Sequence, residues 1–288
     1  MSTVIFYPQS GDRELCRLYG DDGDREMILR EIDGWYGTPE SRTEATPRKW
    51  GDGDHDVSES DIAYGARTVP IAYRLLAGDR ARLEQLRSML GALTHRLVRL
   101  RVVDPPEDTY QVGEVLQVLP DKAPQNMAMQ TDTGLITVLC RRPERLSWLA
   151  QRGQMWPDKG MSGGLSYGPG GAGLAYPVSY GSRTGGRSSL VVTNQGSADA
   201  YPVLTLCGDH HGRMVLYWAG GVLQWSGGSG ASAVFDCRTQ TVSMGGVDQS
   251  RGLSSRAFPV VRPGESAALR LVEAGDGWVT CEMRDAFL

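Results

Sequence analysis

Ser188-Ser-Leu-Val-Val-Thr193, Tyr201-Pro-Val-Leu-Thr-Leu-Cys207, Met214-Val-Leu-Tyr-Trp218 and Val222-Leu-Gln-Trp225 are short runs rich in β-branched and aromatic residues, separated by turn residues. Four more follow, at Ala233–Asp236, Thr241–Met244, Ala267–Val272 and Val279–Met283. Strands recurring at roughly 8–12-residue spacing with no helical period between them are the signature of an all-β sandwich. Arg262-Pro-Gly-Glu265 has proline second and glycine third, which favours a type II turn.

Upstream the character changes. Gly160 to Arg187 holds ten glycines with Pro169 and Pro177 as further breakers, the composition of a linker or long loops. The spacing therefore places one domain over 1–150. Residues 151–288 are a Gly-rich linker followed by the sandwich. The first half mixes strands with one helix. Val4–Tyr7, Met27–Ile32, Ala66–Leu76, Leu97–Val103, Tyr110–Leu119, Asn126–Gln130 and Leu135–Cys140 read as strands. Asp104-Pro-Pro106 and Asp132-Thr-Gly134 read as turns between them, and Gly37–Asp61 as a long polar loop. Pro70, inside Ala66–Leu76, argues for an edge strand or one broken by a bulge. Gly78-Asp79 is a stop followed by an N-cap, opening a helix over Arg80–Leu93. Leu83, Leu86, Leu90 and Leu93 share one stripe of it and form its core face, with Arg82 and Arg87 expected to be largely exposed or at a subunit contact.

Composition excludes several functions. The 288 residues carry 30 Lys+Arg against 34 Asp+Glu, a formal charge of −4, whereas sequence-independent nucleic-acid binding takes a basic surface. With 40% hydrophobic residues the chain is too apolar for disorder, and no apolar run reaches the roughly 18 residues of a membrane span. Met1–Arg13 shows no signal-peptide pattern. Five cysteines, an odd number without a CxxC pair, read as reduced thiols, with Cys140 and Cys281 inside strands.

No chemical motif survives its context. Gly160-Met-Ser162-Gly-Gly164 and Gly164-Leu-Ser166-Tyr-Gly168 match G-x-S-x-G without the strand before and helix after that a nucleophile elbow needs. Gly168–Gly173 fits a dinucleotide fingerprint but contains proline and lacks the same context. Asp52-Gly-Asp54-His-Asp56 opens like a calcium loop, yet Val57 stands where glycine is required and Ala63 where the bidentate Glu belongs. His210-His211 reads as an exposed hairpin tip. Tyr217, Trp218, Trp225 and Trp278 are the candidate ligand-facing aromatics, weighed against the core positions that Trp usually takes in a sandwich. Paired carboxylates and a catalytic triad are both missing, so the chain reads as no enzyme, with no cofactor and no metal.

Thr193-Asn-Gln-Gly-Ser-Ala-Asp-Ala-Tyr-Pro202 and Phe235-Asp-Cys-Arg-Thr-Gln-Thr-Val-Ser-Met-Gly-Gly246 resemble the C-terminal domain of siphophage distal tail proteins. So do Arg251-Gly252, Phe258-Pro259, the Pro263-Gly264 turn and the ending Arg284-Asp-Ala-Phe-Leu288. The strand, Gly78-Asp79, leucine-striped helix and following strands of the first half resemble the same family, so the likeness spans nearly the whole chain. It implies a mainly β fold: an N-terminal β-rich domain with one amphipathic helix, closing a homohexameric ring, and a C-terminal galectin-like sandwich. It also implies a virion protein of the tail tip, made in the host cytoplasm. The ring would join the tail tube protein to the tail-tip hub protein and carry receptor-binding or other minor tail proteins. DNA would pass through its channel without specific binding. The alternative is a carbohydrate- or receptor-binding tail module.

Overall fold

Alternating buried and exposed side chains build a single curled sheet in the first half of the chain. Its strands are β1 (Thr3–Pro8), β2 (Cys16–Leu18), β3 (Met27–Ile32), β4 (Arg67–Leu76), β5 (Leu97–Val103), β6 (Asp108–Pro120) and β7 (Thr131–Cys140). They lie in the order β2-β1-β5-β6-β7-β4-β3, all antiparallel. Tyr19, just past β2, makes a parallel bridge to Ile28 of β3, so the two edge strands meet. Its N–H donates to Met27 O at 3.0 Å and its carbonyl accepts from Leu29 N at 2.7 Å. Closure of this kind removes open edges.

The computed structural model describes residues 2–21, 23, 25–58, 61–121, 130–157 and 188–288. The chain divides into two compact units, Met1–Leu149 with Ala286–Leu288, and Ala150–Asp285. Within the first, β8 (Arg145–Ser147) pairs with the start of β6 and with β20 (Ala286–Phe287), so the last residues return to the first unit.

The single α-helix among the described residues, α1 (Arg80–Gly91), starts where Asp79 accepts a hydrogen bond from Arg82 N at 2.7 Å, satisfying one orphan donor of the first turn. Leu83, Leu86, Leu90 and Leu93 are all buried against Val4, Phe6, Ile71, Leu100, Val138 and their neighbours. Burial of each is worth roughly 1.5–3 kcal/mol. Arg87 differs from its expected exposure. It reaches the fully buried Asp132 at 2.6 Å and is itself mostly covered, so α1 is held by an ion pair as well as by leucines.

Two expectations for this unit fail for local reasons. β4 is an interior strand between β7 and β3, not an edge, and its ladder to β7 is unbroken. Pro70 is tolerated there because its backbone faces the β3 side, where its carbonyl takes Asp33 N just beyond the end of β3. The irregularity lies in β3, between Leu29 and Glu31. Asp132-Thr-Gly134 belongs to β7 rather than to a turn. The expected strand at 126–130 falls outside the described residues except for Gln130, which is a turn residue at φ 54°.

The second unit is a pair of antiparallel sheets. β10 (Ser189–Thr193), β18 (Ser266–Glu273), β12 (Arg213–Trp218), β13 (Gly221–Ser226) and β17 (Leu253–Arg256) form one, in that order. The other runs β16 (Val247–Asp248), β15 (Thr241–Met244), β14 (Ala233–Asp236), β11 (Val203–Cys207), β19 (Trp278–Met283) and β9 (Gln151–Met155). Inward residues of the two sheets interdigitate: Trp225 of β13 meets Phe235 of β14 edge-to-face at 5.6 Å. The Arg262–Glu265 turn has Gly264 at φ 71° and closes with Glu265 N on Arg262 O at 3.1 Å.

Candidate functional site

The four candidate aromatics do not share a surface. Trp225 is fully buried between the sheets, its Nε1 donating to Gln249 O at 3.0 Å, which makes it a core residue. Tyr217 is 48% exposed on the outer side of the five-stranded sheet. Trp218, at the end of the same strand, is half-buried and donates to Ala257 O at 2.8 Å. Trp278 stands on the outer side of the opposite sheet, half-buried, its ring packed on Gly208 so closely that an added Cβ would lie 2.6 Å away. Beside it the outer face holds an open groove of about 690 Å³, lined by side chains that include Arg152, Gln154, Thr205, Thr280 and Glu282.

The remaining candidates are structural or solvated. His210 is not at an exposed tip. It is buried, its Nδ1 accepts from Gly212 N at 3.1 Å and its Nε2 lies 2.9 Å from Ala231 O, an arrangement that fixes the turn. His211 is the exposed partner, at φ 49°, beside Asp209 and Asp276. Asp52, Asp54 and Asp56 lie on an exposed arm, with Asp56 paired to Arg48 at 3.1 Å. Burial pushes the Cys16, Cys140 and Cys281 thiols up to about 12 and raises Cys237 as well, so these sulfurs are neutral packing groups rather than thiolates. The two G-x-S-x-G matches and the Gly168–Gly173 string lie outside the described residues. No group of His, Cys, Asp and Glu among the described residues is arranged to hold a metal, and no helix is long and apolar enough to cross a membrane.

Two buried arginines were not legible in the sequence. Arg67 is 2% exposed and binds four carbonyls. Its Nη1 donates to Gly34, Trp35 and Gly37 O at 2.6, 2.8 and 2.5 Å, and its Nε to Pro143 O at 3.1 Å. Burial, with Arg145 nearby, lowers its pKa. Arg145 pairs with Glu107 at 2.9 Å and lies over the Trp35, Tyr36 and Phe287 rings. The pair ties the loop after β3 and the β7–β8 turn to the barrel. Nothing in local periodicity marks an arginine that binds carbonyls far away in sequence.

Several large apolar side chains of the first unit face outward. Leu97 of β5 and Val112, Leu116 and Leu119 of β6 are 42%, 40%, 50% and 54% exposed. Leu97 and Val112 lie on the outer face and flank a cleft of about 310 Å³ that Leu139 and Leu146 help to line.

No protein-family model matches the chain, and no curated protein matches it in sequence. Solved structures do match: the fold is shared with phage hub and baseplate proteins. The Dit protein of phage SPP1, described as a paradigm of the hub adsorption apparatus in phages infecting Gram-positive bacteria, superposes with a TM-score of 0.61. It is 13% identical, with 100% of both chains covered. Chains of the phage P2 baseplate in its activated conformation, with calcium or strontium, give TM-scores of 0.50 and 0.51. They are 9% identical over 98% of each chain. At these identities the likeness is one of fold.

Proposed function

We propose that the chain is a structural protein of a phage tail, placed at its distal end. There the first unit closes a homohexameric ring joining the tail tube protein to the tail-tip hub protein. The observation that carries this reading is the match to SPP1 Dit, which runs the full length of both chains rather than through one β unit. The exposed Leu97, Val112, Leu116 and Leu119 of β5 and β6 support it, as apolar side chains that a neighbouring copy would cover. A head-to-tail contact whose rotation closes generates a ring. The formal charge of −4 suits a channel wall past which DNA must move without sticking. In this reading the second unit, galectin-like in fold, carries receptor-binding or other minor tail proteins. The chain has no catalytic task.

Native mass spectrometry of the full chain, with negative-stain images, tests the ring. The expected species is a hexamer with an open centre. A chain that remains monomeric at high concentration, and that is also missing from the tail tip of assembled particles, contradicts it.

A second reading, a carbohydrate-binding module, has one observation in its favour. Trp278 presents a half-buried ring on the sheet face that also holds the groove lined by Gln154, Thr205, Thr280 and the Arg152–Glu282 ion pair, so a ring and hydrogen-bonding groups share one face. Binding to a glycan array that is lost in Trp278→Ala supports it. No binding by the full chain removes it.

A further inference from the structure

Buried hydrogen-bonding atoms normally find partners, and buried charges are normally paired. One cluster in the first unit departs from both. Trp35 Nε1, Arg67 Nη2 and Arg145 Nε are buried and have no protein partner. They belong to side chains that are 0%, 2% and 5% exposed. The three side chains lie together. Arg67 Nη1 donates to Trp35 O at 2.8 Å, and the Arg145 guanidinium carbon stands 6.0 Å from the centre of the Trp35 ring. All three atoms are donors, and neither a guanidinium nor an indole offers an acceptor in return.

Arg67 also lacks a counter-charge. Its bonds all go to carbonyls, of Gly34, Trp35, Gly37 and Pro143, and it forms no ion pair among the described residues. The nearby carboxylates are engaged elsewhere: Glu107 pairs with Arg145 at 2.9 Å, and Asp104 accepts from the Tyr36 hydroxyl. Neither they nor Glu144, buried and next to Arg145 in the chain, raises the Arg67 pKa. Burial and Arg145 lower it, and only Cys140 acts the other way. A water molecule would leave both problems. It carries no charge, and its oxygen accepts about two of the three hydrogen bonds. Its own hydrogens would find one orphan acceptor nearby, Gln111 Oε1, whose amide nitrogen donates to Arg142 O and Glu144 O at 3.0 and 2.7 Å.

We infer that Trp35, Arg67 and Arg145 together bind one small monovalent anion of halide size. Such an ion accepts from all three donors and supplies the charge that Arg67 lacks. Side chains this buried are closed to a carboxylate borne by another protein, so the anion is a free one. Its role is structural. Arg67 holds residues 34–37 after β3 and Pro143 of the β7–β8 turn, and Arg145 stands in β8, which pairs with β20. The chain leaves the first unit after Leu149 and returns to it at Ala286. The anion thus fastens the strands on either side of both crossings. The site belongs to the single chain and does not depend on the ring.

The test uses the full-length chain, with chloride and bromide as probes. Urea unfolding of the first unit, read by amide exchange, is compared in sodium chloride and in sodium gluconate at equal ionic strength. An ion bound only by the folded state lowers the unfolding constant about tenfold for each tenfold rise in its concentration beyond saturation. Chloride should do so, and the bulky gluconate should not. Trp35→Phe keeps an aromatic ring beside Arg145 and removes one donor. Whatever its own stability, it should weaken chloride affinity by roughly 10- to 100-fold, the contribution of one hydrogen bond to a charged group. Crystals soaked in bromide should show anomalous density within hydrogen-bond reach of the three donors. Ordered water there with no bromide signal overturns the inference. So does a chloride effect of equal size in Trp35→Phe, which would place the ion elsewhere.

Discussion

Gly134 occupies the interior of β7, where an added Cβ would stand 2.4 Å from Leu119 O and 2.6 Å from the Tyr73 hydroxyl. Gly134→Ala should therefore destabilise the first unit by about 1–3 kcal/mol, the usual cost of overpacking. Removing the hydroxyl with Tyr73→Phe in the same background should recover only part of that loss, because Leu119 O belongs to the backbone. Full recovery, read by denaturant unfolding, would show that the backbone clash is relieved elsewhere. On α1, Leu86 is 1% exposed, and Leu86→Ala should cost about 2–5 kcal/mol; an unchanged unfolding midpoint would contradict the packing described. Residues whose role is local were legible in the sequence: Asp79 as a cap, Gly264 at positive φ, and Asp236, whose carboxylate accepts from Arg238 N and Thr239 N within its own hairpin. Residues whose partners are distant were not. Arg67 finds its carbonyls at positions 34 to 37 and 143, and His210 finds Ala231, by tertiary packing that no short window encodes.

α1 is docked by more than its leucines. Arg82 pairs with Glu26, the residue preceding β3, at 2.5 Å. That hydrogen bond from Arg82 is the main cause holding the Glu26 carboxyl below its ordinary value of 4.5. A pKa depressed in the folded state contributes stability above the unfolded value, lost as pH falls through the folded one. Amide protection of the first turn of α1 should thus decline in acid in the wild type. In Glu26→Gln it should already be reduced at neutral pH and change less on acidification; equal profiles would mean the exposed pair contributes nothing. Asp79→Ala should cost about 0.5–2 kcal/mol through the lost cap. Elements with strong periodicity, β3, β5, β14, β15 and α1, were legible almost to the residue. β8, β9, β16, β17 and β20 were not. They are two to five residues long, and β9, Gln151-Arg-Gly-Gln-Met155, buries only Met155. It is a strand because β19 offers it an edge, not because its residues favour one.

At the scale of the whole molecule, composition and motif failure pointed away from catalysis, and the order of strands pointed to a fold that the solved hub and baseplate structures share. The closing of the first sheet was not legible, since it depends on one parallel bridge, between Tyr19 just past β2 and Ile28 of β3. Pro70 suggested a free edge at β4, yet β4 is interior and the barrel leaves little edge to share. In the proposed ring, contacts between copies would then run through sheet faces rather than through strand pairing. The exposed apolar side chains of this unit accordingly lie away from the sheet margins, at Leu97, Val112, Leu116 and Leu119, and at Trp50. Glutamate at both Leu116 and Leu119 should abolish assembly while leaving the unit folded, because both side chains are already half in water. Sedimentation velocity beside circular dichroism separates loss of assembly from loss of fold. The most direct measurement is a cryo-EM reconstruction of assembled particles that locates this chain. Six copies in a ring around an open axis at the end of the tail tube are expected; copies found as trimeric spikes away from that axis, with no ring, would contradict the proposed function.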